Sequence, residues 1–422
     1  MALNRHSDPS PDLFSLGGTT ADRLPIALKF SIWPLLLVIV TKPVVDAFYE
    51  LDVVKYVYMT ALIVAVLFAR FGESLEGKEW KANQHSSRLV WASTIYFIFL
   101  FVLGISYGGS LQEIFKIISP FAFLTLVLFA ADRRMVAGLA VSATVVIVAN
   151  AALLPTDYGW RYWFGGVNTF KGCYYFKTDL AYSLTFALLM LGMYFRFEIR
   201  PALMICIGLA ATQIIFSNSR LNYLSLGLLL LFFAYKRGAK VASLSAYGLL
   251  ILIVMGALVY VYQAEKLLGF NFESLTALTQ GRDTTWTYIV DSMETSTLSQ
   301  WLFGRGMYAD IILSARMNNY LWGIDAHNEL LHLVYTQGAI GFAGYVYLWV
   351  LSFRAAKTSP LPDHLKYVKS FAVGLFVLQG LTAGISSFAT KTWPLVMILL
   401  MVRAMADEDA VRNGIPTRML TA

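Results

Sequence analysis

The chain is short of charge. Lys, Arg, Asp and Glu make up only 14% of its 422 residues, while 58% are hydrophobic and the mean hydropathy is +0.61. A soluble globular protein carries about a quarter of its residues as charged groups, so a water-exposed surface for the whole chain is excluded. Cysteine is scarcer still. Cys173 falls in a predicted loop and Cys206 inside a predicted helix, which implies neither a disulfide framework nor a cysteine-based metal site. Internal repeats, low-complexity tracts and a soluble domain are all missing. Residues 1–25 are polar, contain Arg5 and Arg23, and lack an apolar core followed by a small-residue cleavage site; no removable signal peptide is expected.

Apolar runs are what the chain has in abundance. Crossing a bilayer takes about 20 such residues per helix. Twelve runs qualify, at 26–47, 53–71, 89–107, 112–131, 135–155, 179–196, 201–218, 221–235, 241–263, 329–352, 367–385 and 391–405. The expected fold is therefore an all-α polytopic membrane protein of about twelve transmembrane helices. Residues 1–25 form an N-terminal tail, 26–264 carry helices one to nine, 329–405 carry helices ten to twelve, and 406–422 form a C-terminal tail. Between them, 265–328 is long enough for a small helical cap, with short helices expected around 283–297 and 307–318.

The net charge of +7 raises nucleic acid as a partner, but its distribution argues against one. With the N-terminus inside, most of the 33 Lys and Arg residues fall in inner segments: 1–25 with Lys29, 70–88, 132–134, 196–200, 236–240, 354–369 and the tail. Such a bias orients a membrane protein with both termini cytoplasmic. The exceptions on the outer side are Arg161, Lys171, Lys177, Arg220, Arg282, Arg305 and Arg316. Orientation requires no cations there, and an anionic substrate on the outer face would.

His327 leads the candidates. It precedes the helix at 329–352, between Asp325 and Asn328. An imidazole is the usual general base, although a histidine can equally cap or anchor a helix end. The segment HNELLH nearly spells a zinc motif and fails: histidines five apart sit about 140° from each other on a helix, and no glutamate directly follows His327. No metal site is expected. Arg220 follows Ser217-Asn218-Ser219 in a tight polar hairpin. It reads either as a snorkelling cation or as a guanidinium fork for phosphate oxygens. Gly281-Arg282-Asp283 with Trp286 reads as a solvated turn, or as a second cation for the same anion beside a stacking surface for a sugar. Arg305 sits in the glycine turn Phe303-Gly304-Arg305-Gly306, and Arg316 reads as solvated. Gly338, Gly341 and Gly344 read as helix-packing residues. His332 and Gln337 read as interhelical polar groups, with His332 near the site.

Taken together, these features resemble the O-antigen ligase/polymerase superfamily, the membrane glycosyltransferases of bacterial surface polysaccharide assembly. The resemblance rests on Ser219-Arg220, Gly281-Arg282 with Trp286, Leu302-Phe303-Gly304 with Gly306, and Asp325-Ala326-His327-Asn328 with Leu330, Gly338 and Gly341. It is concentrated in residues 205–345. Before the sixth helix many relatives carry an Asn-rich stretch, where this chain has Phe176-Lys177-Thr178-Asp179.

The resemblance implies transfer of a glycan from an undecaprenyl diphosphate carrier on the periplasmic face of the bacterial inner membrane. The acceptor is a lipid A–core sugar for a ligase, or a second carrier-linked glycan for a polymerase. His327 is implied as the catalytic base and Arg220 and Arg282 as the diphosphate binders. Asn218, Trp286, Arg305, Asp325, Asn328, His332, Arg161 and Lys177 are candidate substrate contacts. No cofactor is implied. The competing class is a flippase or other twelve-helix transporter, for which related halves and polar residues near the midplane are expected.

Overall fold

The computed structural model describes residues 33–47, 52–75, 84–107, 109, 111–128, 133–163, 167–238, 282–317, 326–356, 361–381 and 389–412. The predicted N-terminal tail, the apolar run 241–263, the segment 265–281, Asp325 and the tail beyond 412 lie outside the described residues.

The protein is mostly helical. Among the described residues, the first eight helices are α1 (Trp33–Ala47), α2 (Asp52–Leu75), α3 (Gln84–Tyr107), α4 (Leu111–Leu128), α5 (Arg133–Ala151), α6 (Lys177–Tyr194), α7 (Pro201–Phe216) and α8 (Arg220–Lys236). Three more, α9 (Arg282–Glu294), α10 (Leu298–Phe303) and α11 (Ala309–Met317), occupy the predicted cap. Then follow α12 (Glu329–Ala355), α13 (Val368–Gly380) and α14 (Ala389–Arg412). Every predicted apolar run within the described residues falls on one of these helices. Two stretches among the described residues, Ser87–Tyr107 in α3 and Arg134–Ala151 in α5, are long and apolar enough to cross a membrane.

Local chemistry sets several helix starts. Pro201 opens α7, where its missing N–H removes nothing from the first turn. A capping box joins Thr297 and Gln300 at the start of α10. At the start of α12 the Asn328 side chain accepts from the Leu331 N–H.

α6 is apolar on every side and is the centre of the bundle. Leu180 through Met193 are buried without a break, under α5, α7, α8 and α14. α14 is buried likewise over Leu395–Val402. Peripheral helices behave differently: α3 exposes Trp91, Ile95, Ile98, Val102 and Ile105, and α2 exposes Val57, Val64 and Leu67. Water tolerates contiguous apolar patches of this kind poorly.

Segments that the charge count assigns to the inner side meet in space. The Lys236 ammonium donates to the carbonyls of Asp363 and Lys366, and Asp409 faces both Arg196 at 3.4 Å and His364 at 3.7 Å.

The structure corrects four expectations. The chain is not all-α: β1 (Trp160–Trp163) and β2 (Val167–Phe170) form an antiparallel hairpin, with Trp160 opposite Phe170 and Trp163 opposite Val167. Aromatic and β-branched residues suit a pleated surface, and Trp160 packs on Phe170 and on Phe216 of α7. Among the described residues the cap holds a third helix, α10, besides the two expected. α14 continues through 406–412, part of the predicted C-terminal tail, because Ala-Asp-Glu-Asp-Ala-Val-Arg favours a helix. And α12 is not continuous, for at Gly338 the backbone leaves helical geometry with φ 69 and ψ −175.

The break at Gly338 positions the cap. Interrupting a helix leaves carbonyls without their usual N–H partners four residues on. Here a turn from the cap supplies donors: Arg305 N–H to Tyr335 O at 3.1 Å and Gly306 N–H to Thr336 O at 3.0 Å. Buried backbone freed from a helix needs such partners, because an unpaired buried polar group is costly. The approach is close enough to demand glycine on both sides. A Cβ on Gly304 would lie 2.3 Å from Thr336 O, one on Gly338 2.4 Å from Leu302 O, and one on Gly306 2.5 Å from Tyr107. Gly338 is thus a hinge of the backbone, whereas Gly341 and Gly344 keep the packing role, against Phe99 and Tyr96 of α3.

Candidate functional site

The segment 326–328 crosses from the cap into α12 with His327 in the left-handed region at φ 46. For a residue with a Cβ this costs about 1–2 kcal/mol, so neighbouring contacts must hold the turn. Three do. Trp286 of α9 donates its indole N–H to Ala326 O at 2.7 Å. Asp310 of α11 accepts from Ala326 N–H at 3.0 Å. Asn328 caps α12 through its side chain. Ala326, the residue before His327, is therefore pinned at both its N–H and its C=O, by side chains from two different cap helices. His327 itself is half-buried.

Arg282 begins α9, one helical turn before Trp286, and so lies on the same helix face. It too is half-buried. α9 packs on α11 and α12. The turn bearing His327, an indole and the helix bearing a guanidinium thus share one corner of the cap.

Beneath them sits an unexpected pair. Asp310 Oδ2 lies 2.8 Å from His332 Nδ1, with the carboxylate 0% exposed and the imidazole 7% exposed. The other carboxylate oxygen, Oδ1, accepts from Ile311 N–H at 3.0 Å. His332 is one turn into α12, where its N–H bonds back to Asn328 O.

Arg305 is an anchor of the cap. Its guanidinium donates to Ser292 O and Ser296 Oγ, both at 2.8 Å, and stands over the Tyr335 ring at 5.4 Å. The Tyr335 hydroxyl in turn bonds Ser292 Oγ. These contacts tie α9, α10 and α12 together.

The other predicted residues sit on other elements. Arg161, on β1, donates to the backbone and hydroxyl of Tyr175 and stacks on its ring at 4.2 Å. Lys177 is the first residue of α6. Asn218 adopts φ 50 in the turn between α7 and α8, a conformation that asparagine tolerates better than most residues, and Arg220 starts α8. The Trp160–Phe216 contact sets the β-hairpin beside this turn. Just inside α8, Asn222 bonds Ser219 and receives the Gln379 amide of α13 at 2.7 Å. Asp325 and Gly281 lie outside the described residues.

The Phe176-Lys177-Thr178-Asp179 stretch has a structural use. Asp179 is buried 3.4 Å from the Lys391 ammonium, joining the starts of α6 and α14. Sequence reasoning missed both this pair and Asp310. Asp310 lies in a helix of otherwise ordinary composition, and only its distance from His332, 22 residues later, reveals it. No protein-family model matches the chain, and no curated protein sequence is significantly similar to it.

Proposed function

We propose that this protein is a membrane-embedded, inverting glycosyltransferase of the O-antigen ligase/polymerase type. In this reading about twelve helices span the bacterial inner membrane, both termini are cytoplasmic and the cap faces the periplasm. Supporting this are the apolar outer faces of α2 and α3 and the meeting of the inner-side segments around Lys236 and Asp409. The donor is a glycan on undecaprenyl diphosphate, and the acceptor is a lipid A–core sugar or a second carrier-linked glycan.

The observation that carries the proposal is the pinned turn at His327, beside the helix bearing Arg282 and Trp286. A base carried on a held turn suits removal of a proton from an acceptor hydroxyl. The acceptor oxygen then bonds the anomeric carbon from the face opposite the leaving group. The anomeric carbon–oxygen bond to diphosphate breaks, the leaving group keeps the electron pair, and the hydroxyl proton passes to His327. Arg220 and Arg282 hold the charge that develops on the diphosphate, a role in which guanidinium forks surpass ammonium groups. Two such cations make a divalent ion dispensable, so transfer should survive a chelator.

The test uses purified protein in vesicles with carrier-linked donor at the outer face. His327→Ala should abolish transfer and leave donor binding largely intact. Arg220→Ala should weaken donor binding, with Lys a poor substitute. Equal donor affinity in wild type and Arg220→Ala would refute its role, and transport of the lipid with no new glycosidic bond would establish a flippase instead.

A further inference from the structure

We propose that Asp310 is a positioning residue of the site. It would hold His332 as the Nδ1–H tautomer and, through the same carboxylate oxygen, fix the turn that presents His327. This builds on the glycosyl-transfer reading and adds two residues to it.

The geometry is specific. Asp310 Oδ2 makes two contacts that matter here: it accepts from Ala326 N–H at 3.0 Å and lies 2.8 Å from His332 Nδ1. The first belongs to Ala326, the residue immediately before His327. The second belongs to a buried imidazole one turn further along the chain. Both carboxylate oxygens accept a backbone N–H, Oδ1 from Ile311 and Oδ2 from Ala326. An ionised carboxylate is only an acceptor. His332 must therefore donate from Nδ1, which leaves the lone pair of its neutral form on Nε2. A carboxylate that fixes the tautomer and orientation of an imidazole is a recurring arrangement in proton-transferring sites.

A purely structural clamp would be built differently. Burying a carboxylate and an imidazole costs desolvation, and an apolar pair of similar volume commonly holds two helices as well or better. The shared oxygen also couples the two imidazoles: a change in the proton carried by His332 alters the hydrogen bond that competes with Ala326 N–H, and so alters the hold on His327.

Full-length protein in nanodiscs tests this in two ways. In the first, His332 is the only ¹⁵N-labelled histidine, with His6, His85, His327 and His364 replaced. Its nitrogen shifts should report the Nδ1–H tautomer, and Asp310→Ala should abolish that preference. In the second, transfer is followed kinetically in chains that retain all five histidines. Asp310→Ala should lower kcat by about 10²-fold, the scale of a misaligned base, with donor KM changed less than about threefold. Asp310→Asn, closer in shape, should shift kcat in the same direction and serves if the alanine variant does not fold. An Nε2–H tautomer in the labelled chain that keeps Asp310 would overturn the proposal, as would a wild-type kcat in both Asp310 variants or a loss confined to KM. If the wild-type protein transfers no glycan, the glycosyltransferase reading fails, while the tautomer measurement still decides the Asp310–His332 pairing.

Discussion

Replacing Gly338 by alanine should be among the most damaging small changes available in this chain. Its φ of 69 and ψ of −175 lie in a region used almost only by glycine, and forcing a Cβ there costs about 1–3 kcal/mol. The new carbon would also meet Leu302 O at 2.4 Å and Gly304 N at 2.5 Å. Those atoms are backbone and cannot swing aside, so overpacking adds about 1–3 kcal/mol. The sum, about 2–6 kcal/mol, rivals the whole margin of many domains. Gly304→Ala should cost a similar amount, since it occupies the mirror position with φ 79 and a Cβ 2.3 Å from Thr336 O. Because the two glycines share one contact, the double variant should lose less than the sum of the singles.

Gly208 and Gly374 provide the control. A Cβ at either meets nothing within 4 Å, and both lie in helices. Alanine there should be neutral or stabilising, by up to about 1 kcal/mol. Thermal unfolding in detergent should rank the variants accordingly. A cap that detaches should also admit protease near 302–306. Gly338→Ala melting with Gly374→Ala, and resisting protease equally, would refute the reading of α12 as a broken helix closed by the cap.

Two further predictions concern buried and interfacial charge. Asp179→Asn leaves the Lys391 ammonium buried without its carboxylate and should cost about 3–5 kcal/mol, whereas Asp179→Asn combined with Lys391→Met should recover most of it; equal melting of single and double variants would refute the ion pair. At the opposite end, burial chiefly pushes the His364 imidazole below its ordinary range, with Arg196 and Lys236 acting the same way and Asp409 and Asp363 opposing. The unfolded chain then binds a proton at about pH 6.5, the folded chain only below that. Stability should therefore be full above about pH 6.5 and fall as the pH drops through it. His364→Gln should flatten that slope, and an unchanged slope would exclude His364 as its source.

The amino-acid sequence alone showed the mostly helical character of the chain and placed the apolar runs that its described helices carry. Apolar runs of bilayer length leave the backbone few choices, since unpaired polar groups are too costly in an apolar setting. It also marked His327, Arg282, Trp286 and the Leu302–Gly306 turn, because charge, imidazole and glycine stand out in so apolar a chain. What they do for one another was not legible. Gly338 looks like one of three evenly spaced packing glycines until the cap turn is seen to fill the gap it opens in α12. Arg305 looks like a candidate for substrate until Ser292, Ser296 and Tyr335 are seen around it. Asp310 has no local signal at all, and its meaning comes from Ala326 and His332, which reach it only when α11 packs on α12. Such roles depend on contacts between residues far apart in the chain, and the tertiary structure alone decides those.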